Sequence, residues 1–233
     1  MNRILLRILA GLLPLAAAVS AVAQVYKWVD ENGRVHYGPQ PPPAAKARPL
    51  SFQPSNSARP DSSVEVPESA IQHYPVYGRT PFELHMSMVQ NGPFNEIVQK
   101  RVYAEIHWRL DWKFDYVNEP GKCRLSRLVI TMPTTITMPK WMDEEGASAE
   151  TRALWPMVLG KIRTHEDGHK AIGMEGANVL ARRLKSLPAY PTCQELNQVI
   201  RSEGARIVGE YNLANRAFDR TEALRDNPFK RER

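Results

Sequence analysis

The chain holds only two cysteines, Cys123 and Cys193, and neither belongs to a C-x-x-C pair. That leaves no cysteine-based metal site and no dithiol redox chemistry to argue for. Long apolar runs are also scarce. The run that opens the chain, "ILAGLLPLAAAVSAVA", is short and carries Pro14, which argues against a permanent membrane span. No nucleic-acid-binding module is present, and a net charge of +6 spread along the chain is a solubility and surface property. Large apolar residues are few between Pro39 and about Ser69, so that stretch cannot bury enough surface to offset its ordering entropy.

What is there begins with an export pattern. Arg3 and Arg7 precede the short apolar run, which ends in Ala21-Val22-Ala23 before Gln24. A charged start and a small-x-small end predict a signal peptide over residues 1–23, removed on export to the periplasm or the medium, with an uncut anchor as the alternative. Removal takes away Arg3 and Arg7 and no acid, so the net charge falls from +6 to +4. In an exported chain an even cysteine pair reads as one disulfide, two free buried thiols being the alternative. Closing so long a loop is worth about 4 kcal/mol in the chain-entropy account.

The mature chain divides by composition. Residues 24–41 hold "VYKWVDENGRVHYG", two alternating segments around Asn32-Gly33, which predicts a β-hairpin module with His36 as a surface residue. Residues 42–72 are rich in Pro, Ser and Ala and predict an extended linker. The folded body is expected over residues 73–222 and a charged tail over 223–233. Within the body, apolar residues alternate from Val102 to Phe114, predicting one long strand with His107 on its polar face. "CRLSRLVITM" and "TTITMPKW" predict two more strands in a small antiparallel sheet. From about Ala149 the period becomes helical through Trp155, Val158, Leu159, Ile162 and Ile172, with Pro156 in an early turn. A second helix is expected from about Thr192 along Leu196, Val199, Ile200, Ile207 and Val208. Strands first and helices second give an α+β fold, a small antiparallel sheet packed on two long helices.

The first long helix carries "KIRTHEDGHKAIG". His165 and His169 stand one turn apart on the same face, where two imidazoles reach one ion without bending the backbone. Zinc takes nitrogen ligands at about 2.0–2.1 Å and in catalytic sites keeps a position open. Glu166, beside the first histidine, is placed to act as general base for a water attacking a peptide carbonyl. Gly160, Gly168, Gly173 and Gly176 line this helix at a cost to helix propensity, which predicts close approach of another backbone or a ligand, a loosely wound helix being the alternative. The motif does not continue into a third histidine, since residue 175 is Glu175. Glu203, Glu210 and Asp219 on the second helix are the candidate third ligands, each of which also suits a solvated helix surface.

From about Tyr74 to Asp219 the chain resembles a bacterial family of predicted secreted zinc-dependent proteases, domain of unknown function 922. The shared features are "YPVYGRTPFEL", "NGP", "AEIHWRLDWKF", "TMPKW", the H-E-x-x-H helix, "PTCQELNQVI" and Phe218-Asp219. Ahead of it, "VYKWVDENGRVHYGPQPP" resembles a short module of exported envelope proteins, domain of unknown function 4124. The resemblance implies a zincin-like fold with His165 and His169 as Zn2+ ligands, Glu166 as base and a Cys123–Cys193 disulfide. It also marks a departure, because the family tends to place a late histidine after its Tyr/Phe-Asp, and no histidine follows His169 here. The leading expectation is an exported zinc metallopeptidase acting on a peptide or protein substrate, with the hairpin module contacting an envelope partner. The alternatives are a non-catalytic envelope binding or assembly factor that keeps the fold, and a metal-free protein whose histidines only pack. No nucleic-acid partner and no transmembrane segment after signal cleavage are expected.

Overall fold

The computed structural model describes residues 25–29, 35–38, 43, 46–50, 63–96, 98–222 and 228–229. The predicted signal peptide, the Asn32-Gly33 turn and most of the charged tail lie outside the described residues. The fold is α+β, with small sheets and, among the described residues, three α-helices of which two are long. No helix among the described residues is long and apolar enough to cross a membrane.

Strands β1 (Val25–Val29) and β2 (Val35–Gly38) pair antiparallel, as the alternating pattern predicts. A third strand, β3 (Arg48–Leu50), adds to the other edge of β1. It comes from the stretch whose composition predicts a linker. So do β4 (Val64–Glu65) and the start of β5 (Ala70–Val76). Val64 is buried in the core and pairs with Ile130. Strands this short carry too few side chains to outweigh the Pro and Ser around them in a composition reading.

Helix α1 (Pro81–Asn91) follows. Its start is a capping box: the Thr80 hydroxyl accepts from the Glu83 N–H at 3.3 Å, and the Glu83 carboxylate accepts from the Thr80 N–H at 3.1 Å. Two short strands, β6 (Phe94–Asn95) and β7 (Lys100–Arg101), form a ribbon before β8 (Glu105–Trp108), β9 (Asp111–Glu119), β10 (Lys122–Thr131) and β11 (Thr134–Trp141). The predicted Val102–Phe114 strand is therefore two strands in two sheets. β8 pairs with β11 and β9 pairs with β10. The period-two pattern runs on unbroken because it records which face is buried, whereas the hydrogen-bonding partner changes at Arg109-Leu110.

Apart from the β6–β7 ribbon, the described strands from β4 onward form two three-stranded sheets, ordered β4-β10-β9 and β5-β11-β8. Each is mixed, since β4 and β5 join their neighbours in parallel, so the strands do not make one antiparallel sheet. Helix α2 (Ala149–Lys185) is capped by the Ser148 hydroxyl, which accepts from the Thr151 N–H at 3.2 Å. Pro156 stands inside it, past the first turn. Helix α3 (Cys193–Glu222) starts beside Thr192, whose hydroxyl accepts from the Glu195 N–H. Strand β2 of the N-terminal sheet lies against α3.

Two cores meet along α2. One gathers Val76, Leu84, Met88, Ile106, Ile136 and Trp155 with Val158 and Ile162 of the first half of α2. The other gathers Leu128, Ile130 and Met132 with Ile172, Leu180 and Leu184 of α2 and Leu196, Ile200 and Ile207 of α3. Residues 165–169 fall between them, at the seam. The expected disulfide is present: Cys123 at the start of β10 is bonded to Cys193 at the start of α3, with Cα atoms 5.1 Å apart. Paired backbone hydrogen bonds between Cys123 and Tyr190 flank it.

Candidate metal centre

The centre is built where α2 and α3 run antiparallel. Three pairs set their register. Phe218 packs on Gly168, Tyr211 packs on Gly176, and the Arg183 guanidinium donates to Glu203 at 2.9 Å. A Cβ at Gly168 or Gly176 would stand 2.8 Å from Phe218 Cε1 or 2.9 Å from Tyr211 Cγ. The close approach predicted for the glycines of α2 is thus to aromatic rings, with Trp108 filling the space at Gly173. Gly160 has no such neighbour.

This register brings Asp219 to both histidines. His169 Nε2 lies 2.9 Å and His165 Nε2 lies 3.5 Å from Asp219 Oδ1, and the two Nε2 atoms are 3.2 Å apart. Among the described residues these three are the one group of His, Cys, Asp or Glu side chains gathered closely enough to hold a metal ion. Glu203 and Glu210 share a helix face but turn it to arginines. Glu203 takes Arg183 and Arg206, and Glu210 takes Arg206. His107 is exposed on β8, as predicted, and pairs with Glu105 at 3.1 Å.

The surroundings orient the donors. Asn215 Oδ1 is 2.8 Å from His169 Nδ1. Phe218 stacks on the His165 ring at 5.1 Å between centroids and meets the His169 ring edge-on at 4.9 Å. Burial opposes the charge of Asp219, but hydrogen bonds from His165 and His169 and their charge outweigh it and hold the carboxyl well below its usual range. Glu166 is the reverse case. It is 3% exposed, and its Oε2 has no hydrogen-bond partner. Burial pushes its pKa up to about 7, against the pull of His165 and with the added repulsion of Asp219, Glu105 and Asp167. Glu105 thus belongs to the surroundings of the site. It projects from β8, held by Asn95 Nδ2 at 3.1 Å and by His107. No sequence signal distinguished it from the other polar residues of its strand, and none marked Asn215.

The residues fit a divalent transition metal. Ligand atoms held tetrahedrally at about 2.0–2.1 Å from one ion stand about 3.3 Å from each other. The two Nε2 atoms and Oδ1 stand 2.9, 3.2 and 3.5 Å apart, a triangle of that size. Two imidazole nitrogens and one carboxylate oxygen are a borderline donor set that suits zinc, and the buried, unpartnered carboxylate of Glu166 lies directly beside it.

Fold and site together define an α+β domain whose two long antiparallel helices carry a His-His-Asp cluster with an adjoining buried glutamate. The chain belongs to the family described as bacterial protein of unknown function (DUF922), which matches residues 71–226. Residues 12–64 match a domain of unknown function (DUF4124), a span that takes in β3 as well as the hairpin. No curated protein and no solved structure matches the chain.

Proposed function

We propose that the protein is an exported zinc-dependent peptidase, with His165, His169 and Asp219 holding the metal and Glu166 as general base. The observation that carries this reading is the donor triangle of ligand size beside a buried carboxylate that lacks a partner. Zinc bound there supplies Lewis acidity, which makes water a nucleophile near neutral pH and polarises a carbonyl. The rest falls to the chain itself. Glu166, buried beside the triangle with Oε2 unpartnered, is placed to take a proton there and return it to a leaving amine. Asp219, the one carboxylate of the triangle, would supply the negative charge that a divalent cation needs. Asp219 would thereby serve in place of the late histidine that this chain lacks.

A peptide substrate is supported by β8. Among the described residues this strand pairs only with β11, so its other edge carries no strand and an extended chain would add there as a further one. Glu105 at its start lies close enough to Glu166 to repel its charge, so such a chain would run past the site. The export pattern at residues 1–23 supports a periplasmic or secreted location.

Metal analysis and peptide cleavage test the reading together. The mature protein is expected to hold one zinc per chain, and His169→Ala or Asp219→Ala to lose it. Glu166→Gln is expected to keep zinc and lose cleavage. Zinc uptake indifferent to His169→Ala and Asp219→Ala would refute the metal site. Zinc uptake without cleavage of any peptide in a broad library would favour the non-catalytic binding factor.

A further inference from the structure

Helix α3 contributes more to the centre than one carboxylate. Asn215, Phe218 and Asp219 stand at i, i+3 and i+4, so all three face α2. Asn215 Oδ1 lies 2.8 Å from His169 Nδ1, on the side of the ring opposite the donor triangle. An amide oxygen can only accept, so with Oδ1 facing the ring the proton sits on Nδ1, and Nε2, which meets Asp219 at 2.9 Å, is the nitrogen left to a metal ion once its own proton is displaced. Phe218 acts on ring planes. It lies nearly parallel to the His165 ring, at 25°, and nearly perpendicular to the His169 ring, at 81°. The two imidazoles are in turn 87° apart with centroids at 4.8 Å. The Phe218 ring is buried and seated on Gly168, between the two imidazoles and the helix that carries them.

We propose that Asn215 and Phe218 are positioning residues of this centre: Asn215 fixes the tautomer of His169, and Phe218 fixes the planes of both imidazoles. The proposal rests on the reading of the cluster as a zinc site. Neither residue touches the donor triangle, and each acts through a histidine that does. Groups in this relation to a metal ligand typically change affinity about 10- to 100-fold when removed.

The test uses the full mature chain, zinc titrated against a chromophoric chelator, and NMR of labelled histidine ring nitrogens. Asn215→Leu keeps the size and removes the acceptor. It is expected to weaken zinc binding about 10- to 100-fold and to change the His169 Nδ1 signal. Asn215→Asp keeps an acceptor and is expected to bind zinc no more weakly than the wild type. Phe218→Leu is expected to weaken binding and broaden both imidazole signals. An Asn215→Leu protein with wild-type affinity and an unchanged Nδ1 signal would overturn the assignment. So would a loss of affinity that Asn215→Asp shares. If the wild-type protein takes up no zinc, the metal reading falls by itself. The positioning role is then judged in the metal-free protein, where an Nδ1 signal that is the same in Asn215→Leu and in the wild type refutes it.

Discussion

Replacing Gly168 with alanine probes the contact on which the centre is built, and Gly160 provides the control on the same helix. Alanine gains about 1 kcal/mol over glycine in a helix interior. At Gly160 nothing lies within 4 Å of the added methyl, so Gly160→Ala should realise that gain. At Gly168 the methyl meets Phe218, whose Cε1 and Cε2 would stand at 2.8 and 3.2 Å, well inside a normal carbon contact. Phe218 is 4% exposed and wedged against two imidazoles, so relief requires moving the ring and the start of the Asp219 turn with it. Overpacking of this kind costs about 1–3 kcal/mol. The net for Gly168→Ala is therefore a loss of up to about 2 kcal/mol, because the propensity gain offsets part of the strain. The two variants should differ by about 1–3 kcal/mol, or about 2–12 °C in Tm for a protein of this size. Urea and thermal unfolding of both proteins measure it, with an unchanged urea slope as the control for a two-state comparison. Equal stability of the two alanine variants would refute the claim that Phe218 seats on Gly168 and that this contact sets the helix register.

Two other outcomes follow from features away from the cluster. The disulfide joins residues 70 apart in sequence, so removing it with Cys123→Ala and Cys193→Ala together should cost about 4 kcal/mol; an unfolding midpoint within error of the wild type would contradict that. Hydrogen bonds from Arg183 and Arg206 bring Glu203 down from 4.5 to about 2. Between those values the unfolded chain binds the extra proton, so the pair stabilises the fold fully above pH 4.5 and loses its contribution as pH falls towards 2. Glu203→Gln should flatten that part of the stability profile, and an unaltered acid limb would show that the pair contributes nothing.

The long elements were legible because their patterns are long. Helix α2 declares itself through Trp155, Val158, Ile162 and Ile172, and β10 and β11 through their apolar alternation. Helix α1 was not read, although Thr80 and Glu83 spell a capping box. Phe82 and Val89 are exposed while Leu84 and Met88 are buried, so its apolar residues mark no single face. Asp219 was legible only as one of three carboxylates. Choosing among them depended on the α2–α3 register, which is set by Phe218 on Gly168 and Tyr211 on Gly176, contacts between segments far apart in sequence. Glu105 and Asn215 were not legible at all. Their importance lies in what they face across a sheet edge or a helix interface, and a single chain read residue by residue carries no mark of that.

The disulfide has a mechanical meaning beyond chain entropy. Helix α3 is a lever whose root, at Cys193, is bolted to β10, and whose far arm carries Asp219. The two points are separated by about 39 Å of helix. Rocking the root by one degree would swing the far end through about 0.7 Å, a sizeable fraction of a metal–ligand bond length. A bond at one end of the molecule thus disciplines geometry at the other. Tyr211 on Gly176 and Phe218 on Gly168 then hold the arm along its length, so the bond at the root and the two ring contacts together aim Asp219.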